Sequence, residues 1–181
     1  MFSPLIYRLL RFLYLPAIFI LIFSVQSMGQ QLFDWRSRVD QIIEQTDSLS
    51  LRSQRTFSLN RVQKVDRTFK NDIPFKETWS YTVNGGKVVL FQVHYVIDTL
   101  EYTEAYYVNN DRLICMEEYE SSFFSNDDQV KWGKVLFFHN NSLKLFVKVG
   151  KAREDELYAK AGYEVLSNFD KRYTELKRYL K

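Results

Sequence analysis

The stretch from Trp79 to Asp98 reads WSYTVNGGKVVLFQVHYVID, and it decides the fold. Two runs rich in β-branched and aromatic residues flank Asn84-Gly85-Gly86, a pattern typical of a β-hairpin. Apolar residues occupy every odd-numbered position from Trp79 to Val83 and from Val89 to Ile97, so we expect these two sets to oppose each other across the hairpin. A loop of three residues, Asn84 to Gly86, gives this pairing and places Trp79 opposite Phe91, with Gly86 in the left-handed region.

Two further hairpins are predicted downstream. One runs from Tyr102 to about Ser121 around Asn109-Asn110-Asp111, and the other runs from Val130 to Val149 around Asn140-Asn141. The turn segments VNGGKVV and VNNDRLI share Val-Asn, a basic residue and two aliphatic residues. We attribute this likeness to shared turn chemistry rather than to an internal repeat.

The third hairpin is expected to turn on two residues. This turn pairs Phe138 with Leu143 and Leu136 with Leu145. It predicts one continuous apolar row along the last strand, formed by Leu143, Leu145, Val147 and Val149.

Helical patterns precede and follow the hairpins. Apolar residues recur at helical spacing from about Leu32 to Thr46, and again from Arg153 to Lys181. Gly162 in the second pattern indicates a kink or a close packing contact. Residues 47–72 mix strand and helix periodicity, and we interpret them as one or two strands. The stripe of the second pattern consists of Leu157, Ala161, Val165, Phe169, Tyr173, Leu176 and Leu180.

This order of elements predicts an α+β protein. We expect an N-terminal amphipathic helix, a curved antiparallel β-meander of about 6–8 strands and a long C-terminal helix. A closed lipocalin-like barrel with a C-terminal helix is the alternative. The odd-numbered face of the central hairpin should lie against both helices. The even-numbered face should be the wetter side, with Ser80, Thr82, Gln92 and His94.

The N-terminus carries the pattern of a secretory signal peptide. Arg8 and Arg11 precede an apolar run from Phe12 to Val25, and Ser27-Met28-Gly29 resembles a cleavage site. We therefore predict a signal peptide over residues 1–29, a single domain over residues 30–181, and a periplasmic or extracellular location. The alternative is a membrane anchor formed by an uncleaved N-terminal segment.

Charge is nearly balanced overall but unevenly distributed. Residues Arg52 to Lys76 contain seven basic and two acidic residues, and Lys131 to Lys151 contain five Lys and no acid. Between them, Asp98 to Asp128 contain nine acidic residues and one basic residue. Solvated strand faces account for such blocks most simply, and neither basic block has the composition of a nucleic-acid module, so no nucleic-acid partner is predicted.

Chemistry-bearing motifs are sparse. His94 and His139 lack a second ligand at metal-site spacing, and no nucleophile elbow, phosphate loop or dinucleotide fingerprint is present. The lone Cys115 suits a small core residue. We predict no catalytic residue, metal or cofactor, and hence a protein that is not an enzyme. In one register Glu104 lies opposite Glu117, and the repulsion between two carboxylates is costly. Such a pair must be solvated, share a cation or act as an acid/base pair.

Aromatic residues are dense in the first two hairpins. Five tyrosines there need hydroxyl partners or water, which favours a half-wet cradle or a recognition surface. The overall plan resembles that of periplasmic lipoprotein or lipid carriers, and of lipocalin-like proteins with a C-terminal helix. The predicted ligand-binding residues are Trp79, Tyr81, Phe91, Tyr95, Tyr102 and Tyr106.

Two functions are compatible with this sequence. The first is an exported cell-envelope module that binds or carries an apolar or amphipathic ligand. The second is an interaction module that docks on an envelope protein through a sheet edge or the Tyr-rich face. A membrane contact is expected only through residues 1–29, if these stay uncleaved.

Overall fold

The computed structural model describes residues 30–63, 73–122, 130–150 and 158–180. The chain forms two compact units, Met1–Ile42 and Ile43–Lys181. The described residues of the first unit, 30–42, are helical, and an ion pair of 2.7 Å joins Arg36 to Asp40 one turn later. None of the described helices is long and apolar enough to cross a membrane. The predicted signal peptide lies outside the described residues.

Seven antiparallel strands and two helices make up the described chain. Each strand pairs with its neighbours in chain order, so β1 and β7 are the edges of an open sheet. The α+β meander is thereby confirmed, and the closed-barrel alternative is wrong for the described strands. The elements are α1 (residues 30–53), β1 (Arg55–Gln63), β2 (Ile73–Asn84), β3 (Lys87–Ile97), β4 (Leu100–Asn109), β5 (Arg112–Ser122), β6 (Val130–His139), β7 (Ser142–Gly150) and α2 (Tyr158–Tyr179).

Helix α1 continues to residue 53, seven residues beyond the predicted end at Thr46. The strand interpretation is therefore wrong for residues 47–53, although it is confirmed for β1. Extending an existing helix costs less than nucleating one, so a weak helical pattern next to a strong one is drawn into the helix. At the new end, the Ser53 hydroxyl donates a hydrogen bond of 2.9 Å to the Leu49 carbonyl. Residues 64–72 lie outside the described chain.

The central hairpin turns on two residues, not three. Gly85 and Gly86 both have positive φ, 56° and 79°, and Asn84 pairs with Lys87. The register then shifts by one residue at a β-bulge, so that Trp79 lies opposite Val93 and the predicted Trp79–Phe91 pair is wrong. The odd-numbered sets nevertheless oppose each other as predicted, because the extra residue of the bulge restores the parity that a two-residue turn reverses.

The other two long hairpins use the same device. Asn110-Asp111 and Asn140-Asn141 form two-residue turns with φ between 49° and 60°, and each is followed by a register shift. The shared turn chemistry predicted for the first two hairpins is confirmed. Asn tolerates the left-handed region better than most residues, which explains its use where the first hairpin has Gly.

The bulge in the third hairpin changes the face of β7. Phe138 pairs with Leu143 as predicted, but Leu136 pairs with Phe146 rather than with Leu145. Leu143 and Phe146 therefore pack against the core, and the predicted continuous apolar row is wrong. The displaced residues, Leu145, Val147 and Val149, lie on the other face of the sheet.

Helix α2 packs across one face of the sheet, called here the helix face. Its stripe is buried as predicted at Ala161, Val165, Phe169, Tyr173 and Leu176, whereas Leu180 is exposed. The predicted close contact at Gly162 is confirmed, because a Cβ there would lie 3.1 Å from the Cβ of Leu143. The strands contribute Trp79, Phe91, Tyr106, Met116 and Leu136 to the same core.

The other face of the sheet, called the opposite face, is buried at the end where the Asn and Gly turns lie. Leu90, Cys115 and Phe137 lie there within the interior, as expected for Cys115. Thr82 is also fully buried, so the prediction of a wetter face fails at that position. Half-buried side chains farther along do fit that prediction: Ser80, Gln92 and His94.

The C-terminal part of α1 contacts this opposite face. The Tyr107 hydroxyl donates a hydrogen bond of 3.0 Å to Asp47, and the amide of Gln54, the residue after α1, donates one of 3.2 Å to Gln92. The expectation that both helices cover the same face is therefore wrong. Because the sheet has apolar residues on both faces at the end where the Asn and Gly turns lie, other residues must cover each of these faces.

Candidate functional site

The six residues predicted to bind a ligand all lie on the helix face and adjoin one another. Trp79, Phe91 and Tyr106 are at most 1% exposed. Phe91 stacks on Tyr106 with ring centroids 4.6 Å apart, and Tyr95 stacks on Tyr102 at 5.1 Å. The half-buried members are Tyr81, Tyr95 and Tyr102. Their proximity matches the expectation of one cluster, and their role in ligand binding stays a prediction.

Beneath α2 the structure brings Glu104 together with two charged residues that sequence patterns did not single out, Arg172 and Glu77. Arg172 of α2 forms a bidentate pair with Glu104, at 2.7 Å from Nε and 2.9 Å from Nη2, and its Nη1 lies 3.1 Å from Glu77. The Arg172 guanidinium also lies 5.5 Å from the centre of the Trp79 ring. We call Arg172, Glu77 and Glu104, with their hydrogen-bond donors, the Arg172 cluster.

Both carboxylates of this cluster are fully supplied with donors. Tyr95 and Tyr106 donate hydrogen bonds of 3.1 and 2.6 Å to the two oxygens of Glu104. Trp79 Nε1 and Arg61 Nε each lie 2.9 Å from Oε2 of Glu77. A buried network that is completely satisfied rigidifies the elements it joins, here β1, β2, β3, β4 and α2. These contacts hold the helix in place.

The electrostatics fix the charge state of the cluster. Burial alone would raise the pKa of Glu77, but the hydrogen bond from Arg61 and the charge of Arg172 outweigh it and lower the pKa. Burial would lower the pKa of Arg172, and the charge of Glu104 reverses this and raises it. Burial and the charge of Glu104 both raise the pKa of Tyr106. Such shifts move these groups away from neutral pH, where general acid–base catalysis needs them.

The acidic pairing between β4 and β5 differs by one residue from the predicted register. Glu104 lies opposite Glu118, and Glu117 lies opposite Ala105. The repulsion expected between Glu104 and Glu118 is offset by protein cations, since Lys134 Nζ lies 3.0 Å from Glu118 while Arg172 binds Glu104. The predicted Glu104–Glu117 pair is therefore wrong, and in the pair that forms each carboxylate has its own protein cation rather than a shared one.

A polar strip crosses the opposite face. His94 Nε2 lies 2.6 Å from Glu101, whose other oxygen accepts a hydrogen bond of 3.3 Å from Ser121. The serine therefore contacts the carboxylate rather than the imidazole, so this strip does not form a nucleophile–base pair. Among the described residues, no group of three or more His, Cys, Asp or Glu could hold a metal ion.

Nearby on the same face, Glu117 and Tyr119 are both perturbed. Burial raises the pKa of Glu117, the hydrogen bond from Tyr119 lowers it and the charge of Asp47 raises it, with a net increase. Burial and the charge of Glu117 raise the pKa of Tyr119 to about 12. The Tyr119 ring lies directly over Gly133, its partner across the strands. This geometry explains the glycine, since a Cβ there would approach the ring to 2.7 Å.

A groove of about 530 Å³ lies along α2. Its lining is charged and polar, which differs from the apolar cavity expected of a lipid carrier. The lining residues are Asp170, Lys171, Thr174, Glu175 and Arg178.

The edge strand β7 carries an exposed apolar row on the opposite face. Leu145, Val147 and Val149 are 39%, 41% and 43% exposed. Among the described strands, β7 pairs only with β6. We call these three residues and the outer edge of β7 the β7 edge. Sequence reasoning placed this row on the same face as Leu143, because nothing in the residue pattern located the bulge that separates them.

Comparison with known proteins identifies no relative: no protein family, curated protein or solved structure matches the chain. The candidate sites are therefore defined by the geometry of the described residues. The Arg172 cluster is a satisfied interior network, whereas the β7 edge offers apolar surface to another molecule.

Proposed function

We propose that the protein is an exported, non-enzymatic module of the cell envelope that binds a partner protein through the β7 edge. The observation that carries this proposal is the row of three aliphatic side chains, each about two-fifths exposed, on a sheet edge. Export follows from the signal-peptide pattern of residues 1–29. Docking through a sheet edge was one of the two functions compatible with the sequence.

A long edge strand with an exposed apolar row is a surface on which another strand can pair. Natural edges are short, bulged or covered, because a row of unpaired N–H and C=O groups is a template for another strand. Here β7 has a bulge and two lysines, but it is nine residues long, contains no proline and keeps its apolar row at the surface. Completing the burial of three aliphatic side chains from about 40% exposure would contribute about 2–4 kcal/mol. Backbone hydrogen bonds to a partner strand would add to this.

The packing of the helix face favours docking over carriage. Trp79, Phe91 and Tyr106 contact one another or α2, and little of their surface is left for a ligand. A carrier for apolar molecules needs an apolar cavity of several hundred Å³. The groove on α2 has that volume, but its lining is charged.

Site-specific photo-crosslinking in the producing cells tests the proposal. A photo-reactive residue at Val147 should give one discrete crosslinked protein. The matched control, a probe at the exposed Thr174 on α2, should not. A product common to both positions, or no protein product at Val147, would contradict docking at the β7 edge. An apolar molecule that copurifies in stoichiometric amount would favour carriage instead.

A further inference from the structure

The charges of the sheet are sorted by strand position. The edge strands contain only basic ionisable residues, namely Arg55 and Arg61 in β1 and Lys144 and Lys148 in β7. The central strands β4 and β5 hold the acids Glu101, Glu104, Glu117, Glu118 and Glu120. Arg61 is paired with Glu77 and Glu175, whereas β7 contains two lysines and no acid, so β7 is the edge that presents positive charge to a pairing strand.

This arrangement opposes pairing between copies of the chain. If β7 met the β7 of a second copy in the antiparallel register centred on Phe146, Lys144 would lie opposite Lys148. If it met β1, Lys would approach Arg. Like charges across neighbouring strands destabilise the pair. The occupant of the edge should therefore be a different chain, with acidic residues.

The two edges differ in their apolar content, which singles out β7. On the opposite face, β1 presents the polar residues Thr56, Ser58 and Asn60, where β7 presents its aliphatic row. On the helix face of β7, Lys148 Nζ lies 5.2 Å from the centre of the Phe146 ring, which places a cation beside the strand. Along β7, one face is thus aliphatic and the other carries positive charge.

From this geometry we propose that β7 accepts an extended acidic segment of the partner protein as a further strand of the sheet. The inference rests on the proposed function and adds the chemistry of the partner. Alternate residues of an added strand point to opposite faces. A segment that alternates aliphatic and acidic residues would therefore extend the row of Val147 on one face and place carboxylates beside Lys148 on the other. Main-chain hydrogen bonds supply affinity in such strand addition, and the alternating side chains supply specificity.

Three synthetic peptides test the register as well as the charge. The first peptide alternates Val with Glu, the second has the same residues in one Val block and one Glu block, and the third alternates Val with Lys. Each peptide carries a dye, the full chain is titrated into it, and binding is followed by fluorescence anisotropy. The alternating Val/Glu peptide should bind about tenfold more tightly than either of the others. Equal binding of the block peptide would overturn strand addition. Equal binding of the Lys peptide would overturn the acidic partner.

Charge reversal at the strand provides the matched variants. Lys148→Glu should weaken the Val/Glu peptide about tenfold and strengthen the Val/Lys peptide, whereas Arg178→Glu on the exposed side of α2 should change neither. Thermal melts confirm that each variant folds. If Lys148→Glu misfolds, Val147→Thr replaces it and should weaken the Val/Glu peptide several-fold.

Two further outcomes separate the sources of affinity. The first outcome is that the protein binds vesicles of anionic phospholipid, that Lys148→Glu abolishes this binding, and that the three peptides bind equally well. This result would overturn the inference in favour of a lipid surface. A protein crosslink at Val147 with no preference for the Val/Glu peptide would overturn the acidic strand while leaving docking at the β7 edge in place.

Discussion

Replacing Arg172 with methionine tests how α2 is held on the sheet. The substitution keeps a long, flexible side chain of similar reach and removes the guanidinium. Glu104 then loses its bidentate partner at 2.7 and 2.9 Å, and Glu77 loses a donor at 3.1 Å. Both carboxylates stay buried, with side chains 10% and 6% exposed, so water cannot replace the lost contacts without opening the packing.

The expected cost is about 3 kcal/mol. Removing one partner of a buried ion pair costs about 3–5 kcal/mol, because a charge is left without compensation. The lower end applies here because Glu104 keeps hydrogen bonds from Tyr95 and Tyr106, and Glu77 keeps Arg61. For a chain of this size, about 3 kcal/mol corresponds to a fall in Tm of roughly 6–12 °C.

Urea unfolding followed by circular dichroism measures the effect. Arg178→Met, the same exchange on the exposed side of α2, is the control and should stay within about 0.5 kcal/mol of the parent. Adding Glu104→Gln to Arg172→Met should recover about 1 kcal/mol or more, since it removes the stranded charge. If Arg172→Met unfolds at the same urea concentration as Arg178→Met, the Arg172 cluster does not hold the helix and the reasoning is refuted.

Three other predictions follow from the packing and the pKa shifts. Phe91→Ala should cost about 3–5 kcal/mol in urea unfolding because the ring is fully buried, whereas His94→Ala, at a half-exposed contact with Glu101, should cost no more than about 1 kcal/mol. If His94→Ala cost more than Phe91→Ala, the core would lie on the opposite face of the sheet and the assignment of the helix face as the core would be contradicted. Gly133→Ala should cost about 1–3 kcal/mol in thermal melts because the Tyr119 ring must move, and an unchanged Tm would show that this ring yields freely. The pKa of Glu117 is raised in the folded state, so its ionised form opposes folding above that pKa and this penalty disappears below the pKa of the unfolded carboxyl. Glu117→Gln should therefore raise stability at pH 7 and give no gain at about pH 3, and an equal gain at both pH values would contradict this assignment.

Local patterns predicted much of the fold. Asn and Gly pairs located the turns, because the left-handed region is open to few other residues. The stripe from Ala161 to Leu176 identified the buried face of α2, since helical periodicity persists regardless of what the helix packs against. Strand order followed as well, because antiparallel hairpins joined in sequence usually pair with their neighbours.

Features that depend on one extra residue or on distant partners could not be predicted in this way. The bulges reverse the faces of a strand, and the Lys144 region looks no different in sequence from a regular strand. The pairing of Arg172 with Glu104 joins positions 68 residues apart, and no local pattern marks it. The candidate docking row was hidden for the first reason and the Arg172 cluster for the second.

Amide hydrogen exchange of β7 tests docking at its edge most directly. Exchange is measured for the full chain alone and in contact with the envelope fraction of the producing cells. Backbone groups on the outer side of an edge strand exchange readily until a partner strand pairs with them. The account predicts slower exchange over Ser142–Gly150 when the envelope is present, with β1 unchanged. Slower exchange in β1 with none in β7 would contradict it.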